Sequence, residues 1–408
     1  MSRRRLWGRS LFWVMCVVTV AGLVAAATQT QRGGAPQAKR KESSGGETLP
    51  LRELYPAGTT KLSASGPGAV QAGVQCDSNG NVYLNSVPTA QLAYEYAREG
   101  LGVPLTKLSL DSGETTTFAY PALSDYGRLY GQGFYVTPRG GVYALVQACP
   151  HQGGCRPPHF PTNLIVRYNA DGSVDSVVKL QSPSGVHVLA SRFAAFLDGN
   201  IVVSGLVLGE PPRYYPSKPF TGVFDAGGAY VGPLVLANDV APPRQIPSAV
   251  SVKSGKAGRP PAAGQAGAPQ PGSLWVVDVT GTLTVGALDG TIYLMRATTP
   301  MRLYVISSTG EVLAERLVKP PKPGMRPLQA SLAGNGRLLI EFSQAATPQN
   351  PRFHNAFALV DPQTGKVLEA YNVPSDAGIP ACMDEQNELL FLKSSKSGRL
   401  EVAKYMAE

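Results

Sequence analysis

The sequence predicts an all-β fold, a six-bladed β-propeller built from four-stranded antiparallel blades. Two observations predict it: a composition that disfavours helices, and hairpin motifs that recur along most of the chain. The 408 residues include 45 Gly and 35 Pro, and only 16% are charged. Helices tolerate Gly and Pro poorly, whereas short strands joined by turns accommodate both. The length suits one large β domain.

The first motif is a Gly-containing turn followed by a β-rich run. Asn-Gly and Asp-Gly supply the positive φ angles that tight hairpin turns need. Five copies are clear, and a sixth is degenerate because Asn387 stands where the others have Gly. The copies begin at Asn79, Arg139, Asp198, Asp289, Asn335 and Gln386.

The second motif is a β run, a turn and another β run, and it follows most copies of the first. Its turns contain Gly113, Gly172, Gly228, Gly310 and Gly365. Two hairpins per repeat make a four-stranded unit, and repeats spaced by roughly 40–60 residues are typical of propeller blades. In this pattern the chain resembles the NHL-like six-bladed propellers, a broad group that includes the gluconolactonase and TolB-like domains. The resemblance spans about residues 50–408 and implies a fold, while blade motifs carry no chemistry.

One long gap separates the third and fourth copies. It contains a Pro/Gly/Ala-rich stretch at about 240–273, which we predict to be a disordered insertion. A cryptic seventh blade near Leu274–Val279 is the alternative to a count of six. The last repeat has only three strands, and we expect Leu51–Leu62 to supply its outer strand. That pairing would close the ring and hide two open sheet edges.

The N-terminus predicts export. Residues 1–27 combine four arginines, an apolar run and Ala25-Ala26-Ala27, as a secretory signal does. An uncleaved membrane anchor is the alternative, and the general and twin-arginine export routes both stay open. Residues 28–48 are polar and unpatterned, which predicts a flexible linker before the propeller domain at 49–408. We therefore expect a periplasmic or extracellular protein with no stable membrane span after cleavage.

The positive charge lies outside the predicted blades. The formal net charge is +9, of which the signal contributes +4, the linker +2 and residues 244–272 another +4. The remaining body is close to −1. A nucleic-acid site needs basic and aromatic residues interleaved on ordered elements, so we expect no nucleic-acid partner.

The predicted strand order places almost all non-repetitive sequence on one face. In a four-stranded blade the first and third turns share one face, and the other connections share the opposite face. Loops on a rigid scaffold are where binding residues are usually found. The predicted binding residues on that face are aromatic or basic: Tyr94, Tyr96, Arg98, His151, Arg156, His159, Arg213, Tyr214, Tyr215, Arg352 and His354.

Four cysteines follow the predicted signal. Cys149 and Cys155 bracket a short loop with two glycines, which favours a disulfide. A metal centre that also used His151 and His159 is the alternative, although the spacing fits no zinc signature and export disfavours free thiolates. Cys76 and Cys382 each end the first strand of a blade, in the first and sixth blades. Because those blades are neighbours in a closed ring, a seam disulfide and two buried thiols both stay open.

The chemistry expected of gluconolactonase-type propellers is not visible in the sequence. Such enzymes hold a divalent metal in the central channel through carboxylates and an Asn, but the predicted first strands contain no Asp or Glu. The chain also has no Gly-x-Ser-x-Gly, His-Glu-x-x-His or phosphate-loop motif. We therefore expect a monomeric, cofactor-free binding or scaffolding propeller for a peptide, glycan or protein. A propeller hydrolase or lyase with a loop-built site is the alternative.

Overall fold

Six four-stranded antiparallel sheets make up the part of the chain that the structure describes. The structure is a computed structural model. Within the described residues, no helix has the length and apolarity to cross a bilayer. The predicted signal, the linker and the insertion at about 240–273 lie outside the described residues, which are 49–61, 69–87, 102–152, 155, 160–208, 216–234, 236, 282–296, 301–344, 354–394 and 400–407.

The strands of each blade are lettered A to D, from the ring axis outward. Strand β1 (Leu54–Lys61) belongs to the last blade. Blade 1 contains β2 (Ala69–Cys76), β3 (Val82–Val87), β4 (Leu105–Leu108) and β5 (Thr115–Phe118). Blade 2 contains β6 (Arg128–Val136), β7 (Val142–Cys149), β8 (Thr162–Tyr168) and β9 (Val174–Lys179). Blade 3 contains β10 (Val188–Ala195), β11 (Ile201–Leu208), β12 (Pro216–Phe224) and β13 (Tyr230–Pro233).

The second half of the ring repeats this order. Blade 4 contains β14 (Thr282–Gly286), β15 (Ile292–Arg296), β16 (Met301–Ile306) and β17 (Val312–Val318). Blade 5 contains β18 (Arg326–Leu332), β19 (Leu338–Gln344), β20 (His354–Val360) and β21 (Val367–Asn372). Blade 6 contains β22 (Ile379–Met383), β23 (Leu389–Ser394), β24 (Leu400–Ala407) and, as its D strand, β1.

The six A strands, called inner strands below, contact one another in sequence around the axis. The contacts run β2–β6, β6–β10, β10–β14, β14–β18, β18–β22 and β22–β2. The direct contact between β10 and β14 leaves no room for a blade between them. The alternative of seven blades is therefore wrong, and the six-bladed propeller is confirmed.

The N-terminal strand closes the ring as predicted. Leu54 pairs with Ala407 and Lys61 pairs with Glu401, so β1 is the outer strand of blade 6. Leu54 is buried in the cluster that contains Phe391 and Tyr405. Its burial fixes the register, because a shift by one residue would turn Leu54 toward solvent.

Substituting Leu54 tests this closure. We expect Leu54→Ala to lower the free energy of unfolding by about 2–3 kcal/mol in urea denaturation, because it leaves a cavity in the blade 6 core. The matched change is Tyr55→Ala at the next position, where the side chain is 47% exposed. That variant should cost less than about 0.5 kcal/mol. Equal losses in the two variants would mean that β1 does not complete the blade.

The six A–B turns have one geometry. In each, the first residue donates its N–H to the carbonyl of the fifth, and the fourth donates to the carbonyl of the first. The fourth residue has φ between 62° and 92°. It is Gly in five blades and Asn387 in blade 6, and Asn tolerates this region better than most residues. The degenerate sixth copy is thereby confirmed as a turn of the same type.

Side-chain amides fasten neighbouring blades near the axis. Gln75 of β2 donates to the Phe134 carbonyl at 3.1 Å and accepts from the Val136 N–H at 2.8 Å. Gln147 donates to the Ala190 carbonyl at 2.6 Å, and Gln329 donates to the Pro380 carbonyl at 3.1 Å. Apolar clusters fill the rest of the space between blades. The loops that join the strands are therefore attached to a rigid ring.

Candidate functional site

The strand bounds separate the connections into two faces. The tight-turn face carries the A–B and C–D turns. The long-loop face carries the B–C and D–A connections, and the longest of these join strands across residues 88–104, 119–127, 150–161, 180–187, 234–281 and 345–353. The described strand ends thus show which connections belong to the long-loop face, on which we predicted the binding residues.

Only two of the predicted binding residues are among the described positions. His151 lies in the B–C loop of blade 2, and its side chain is exposed. His354 is the first residue of β20 and pairs with Gln344. The remaining residues lie outside the described ones and stay predictions: Tyr94, Tyr96, Arg98, Arg156, His159, Arg213, Tyr214, Tyr215 and Arg352.

The first half of the B–C loop of blade 2 is fastened by covalent and polar contacts. A disulfide joins Cys149 to Cys155. The His151 ring donates from Nε2 to the Ser124 carbonyl at 2.7 Å, and the Gly127 N–H donates to the Cys149 carbonyl at 2.9 Å. These contacts hold the loop against the D–A connection that precedes blade 2. The disulfide also removes both thiolates from the alternative metal centre.

An aromatic pair extends this surface toward blade 3. Phe160 stacks on His187 with ring centroids 4.0 Å apart and an interplanar angle of 21°. Phe160 ends the blade 2 loop, while His187 lies in the D–A connection before β10 and is exposed. Sequence reasoning missed this pair because the two residues are distant in the chain and neither belongs to a motif. The described part of the long-loop face therefore offers a fixed aromatic and histidine surface at blades 2 and 3.

A small cavity lies at the tight-turn end of the inner strands. A cavity of about 50 Å³ is lined by the last residues of β2, β6, β14 and β18. Because inner strands end at the A–B turns, this cavity lies toward the tight-turn face. Pockets that enclose a drug-sized ligand usually measure about 300–1,000 Å³. The Tyr135 hydroxyl beside the cavity is buried without a good hydrogen bond, and burial raises its pKa.

A buried carboxyl lies between blades 5 and 6. Glu341 of β19 is 5% exposed, and Asn355 of β20 donates from Nδ2 to its Oε1 at 2.8 Å. Burial raises the pKa of Glu341 to about 7, and the Asn355 hydrogen bond partly offsets that rise. The Asn355 Oδ1 atom has no hydrogen-bond partner. A perturbed carboxyl near a loop face is a candidate acid or base.

Sequence reasoning missed Glu341 because it searched the inner strands for carboxylates. The available signal was the charged residue inside the apolar run Leu338-Leu339-Ile340-Glu341-Phe342. Leu, Met, Ser and Asn occupy the corresponding position in the B strands of the other blades. A carboxyl at such a position is either paired or protonated in the folded protein.

The raised pKa predicts a pH-dependent stability. Native Glu341 keeps its proton up to a pKa of about 7, whereas the unfolded chain releases it near the ordinary value of 4.5. The stabilisation is thus fully present below pH 4.5 and is lost as the pH rises through 7. We expect a loss of about 2–3 kcal/mol across this window in urea denaturation. Glu341→Gln should flatten the profile, and an unchanged profile would contradict a protonated native Glu341.

Comparison with known proteins shows no match to a protein family model and no match among curated proteins. Several solved structures share the general shape. A protein of unknown function from Dyadobacter fermentans is 10% identical, with a TM-score of 0.47, over 87% of this chain and 99% of the other. A luciferin-regenerating enzyme is 12% identical, with a TM-score of 0.41, over 86% and 96%. Virginiamycin B lyase from Staphylococcus aureus is 10% identical, with a TM-score of 0.37, over 87% and 100%.

Likenesses of this strength assign no activity or ligand to the chain. The blade topology stands independently of them, with six A-to-D sheets and a D strand of the last blade supplied by the N-terminus. The protein is therefore a six-bladed β-propeller, the fold that its resemblance to the NHL-like propellers implied.

Proposed function

We propose that the protein is an exported, non-catalytic binding or scaffolding propeller that engages a peptide, glycan or protein through its long-loop face. One observation carries the proposal: the non-repetitive sequence is concentrated on one face of a ring whose inner strands contain no Asp or Glu. A rigid ring with variable loops is suited to recognition. The inner strands lack the carboxylates with which a hard cation would be held in the channel.

Export is supported by two features. Residues 1–27 have the pattern of a secretory signal. The cysteines that follow form two disulfides, which persist in oxidising compartments and are rare in the cytosol. We propose a periplasmic or extracellular location, with an uncleaved N-terminal anchor as the alternative.

A matched pair of surface variants tests the binding face. The long-loop variant carries Tyr94→Ala, Arg98→Ala, Arg213→Ala and Tyr215→Ala. The tight-turn variant carries Asn79→Ala, Arg139→Ala, Asn335→Ala and Arg337→Ala. Partners are cross-linked in the exported fraction of the source cells and identified by mass spectrometry. We expect a partner of the wild type to be lost from the long-loop variant and retained by the other, whereas the reverse pattern would exclude the long-loop face.

The alternative is a hydrolase or lyase of the gluconolactonase-like or NHL-like kind with a loop-built site. Glu341 is the specific observation that favours it, because a carboxyl with a pKa near 7 suits acid–base chemistry at neutral pH. A panel of lactones, esters and glycosides would test it. Turnover that falls by about 100-fold or more in Glu341→Gln, with unchanged thermal unfolding, would support an enzyme. No turnover, or turnover insensitive to that substitution, would count against Glu341 as its acid or base.

A further inference from the structure

Three arginines are the charged residues of the inner strands. Arg128 begins β6, Arg326 begins β18, and Arg192 follows the register shift in the middle of β10. All three are exposed. Within the described residues none of them forms an ion pair, and Arg128 only approaches the Tyr130 ring, at 5.3 Å. The inner strands thus carry three exposed positive charges, in blades 2, 3 and 5, that no described carboxylate pairs.

Two aliphatic side chains lie on inner strands at the same level of the channel. Leu328 of β18 is 53% exposed and Ile379 of β22 is 43% exposed. Leu328 is the extra residue at the register shift of its strand, and β18 contacts β22 directly. Both precede the last residue of their strand by four positions, so they lie toward the long-loop face. We call Arg128, Arg192, Arg326, Leu328 and Ile379 the channel mouth.

The opposite face has the opposite charge. Among the described residues, the A–B and C–D turns contain Arg139, Arg337 and Lys366 as their only cations and have a net charge of −9. Their twelve carboxylates are those of Asp77, Asp111, Glu114, Asp171, Asp198, Asp225, Asp289, Glu311, Asp361, Asp384, Glu385 and Glu388.

Carboxylates are few on the described D–A connections, which lie on the long-loop face. On the described D–A connections, Asp125 and Asp376 are balanced by Lys319 and Lys322. The described residues are therefore polarised along the axis, with negative charge on the tight-turn face and positive charge at the channel mouth, which favours an anionic partner at the mouth.

We infer that the channel mouth binds an acidic peptide segment that also carries aliphatic side chains. This inference rests on the proposed binding function and names its ligand class. Guanidinium groups bind carboxylates in a bidentate manner, and Leu328 and Ile379 can cover aliphatic side chains of the same segment. Each inner strand is also the end strand of its sheet, so its second edge offers backbone groups toward the axis. Extended peptides pair with such edges, which favours a peptide over an acidic polysaccharide.

The test uses the mature protein and an array of random decapeptides at low ionic strength. Bound peptides should be enriched in Asp and Glu together with Leu, Ile or Val. The affinity of the best peptide is then measured by fluorescence anisotropy. We expect Arg128→Gln/Arg192→Gln/Arg326→Gln to weaken it by about tenfold or more, since charge-assisted contacts are lost. The matched control, Arg139→Gln/Arg337→Gln/Lys366→Gln, removes the same charge from the tight-turn face and should leave the affinity within about twofold of wild type.

The outcomes separate the ligand class from the binding function. Thermal unfolding is measured first, to establish that both triple variants are folded. If both triple variants lose affinity for the peptide equally, the net charge of the protein explains the loss, and the inference is overturned. Peptides bound without acidic enrichment would also overturn it, while leaving a binding propeller in place. Binding of a uronic-acid polysaccharide with no binding of acidic peptides would replace the peptide with a glycan. If the protein binds neither peptides nor polysaccharides, both this inference and the proposed binding of a peptide or glycan are contradicted.

Discussion

Removing the disulfide between Cys76 and Cys382 is expected to lower the free energy of unfolding by about 4–5 kcal/mol. The two cysteines are 306 residues apart and join blade 1 to blade 6, so the bond closes nearly the whole ring. In the unfolded chain this cross-link removes the conformational freedom of a very long loop, and the loss grows with the logarithm of loop length. The double variant Cys76→Ala/Cys382→Ala tests the expectation in guanidinium denaturation.

The second disulfide is the natural control. Cys149 and Cys155 are only 6 residues apart, so the same loop-entropy argument gives about 2 kcal/mol for Cys149→Ala/Cys155→Ala. The two double variants should therefore differ by about 2–3 kcal/mol when measured under the same conditions. Equal losses would contradict the loop-entropy account of the seam disulfide.

Much of the fold could be predicted because its signals are local. Each A–B turn needs a residue with positive φ, and Asn-Gly or Asp-Gly marks that need in the sequence. Gly199 and Gly290 adopt φ of 89° and 92°, and Asn387 adopts 62°, as the motif required. Counting strands also indicated the closing strand, because a three-stranded last blade required a partner and Leu51–Leu62 precedes the first repeat.

Features that depend on the neighbouring blade were not visible in the sequence. Nothing local distinguishes Gln75, whose amide bridges two inner strands, from a solvent-exposed glutamine. The register shifts in five inner strands, at Leu328 among others, arise from pairing and leave no composition signal. Glu341 is similar, since its burial depends on blade 6 packing against blade 5.

The site was predicted less well than the fold for a physical reason. Blade motifs repeat because every blade packs in the same way. The connecting loops do not repeat, so the sequence gives no pattern from which to predict their binding residues. Sequence reasoning therefore predicted the short disulfide loop at Cys149. For the binding face, which stays a prediction, it collected loop aromatics and passed over Arg192 and Arg326, which we propose as binding residues. Those arginines become a group only when six inner strands are brought around one axis.

Substituting Gly228 with alanine is expected to cost about 4 kcal/mol or more, because positive φ and a backbone clash act together. Gly228 has φ of +87° in the C–D turn of blade 3. An added Cβ would lie 2.3 Å from the Lys179 carbonyl oxygen and 2.8 Å from Val178 Cγ1, both on the outer strand of blade 2. The Gly228 carbonyl also accepts from the Gln181 N–H at 2.8 Å, so the turn cannot move away without losing that bond.

The C–D turn of blade 1 separates these two causes. Gly113 has φ of +69°, but an added Cβ there meets no heavy atom within 4 Å. Gly113→Ala should therefore show the cost of the backbone conformation alone, about 1 kcal/mol, in the same denaturation series. A large difference between the two variants would establish that C–D turns dock on the preceding blade and fix the spacing of the ring. If Gly228→Ala is as mild as Gly113→Ala, the contact with Lys179 is not what demands glycine, and the blades can separate by the roughly 1 Å that an added methyl group needs.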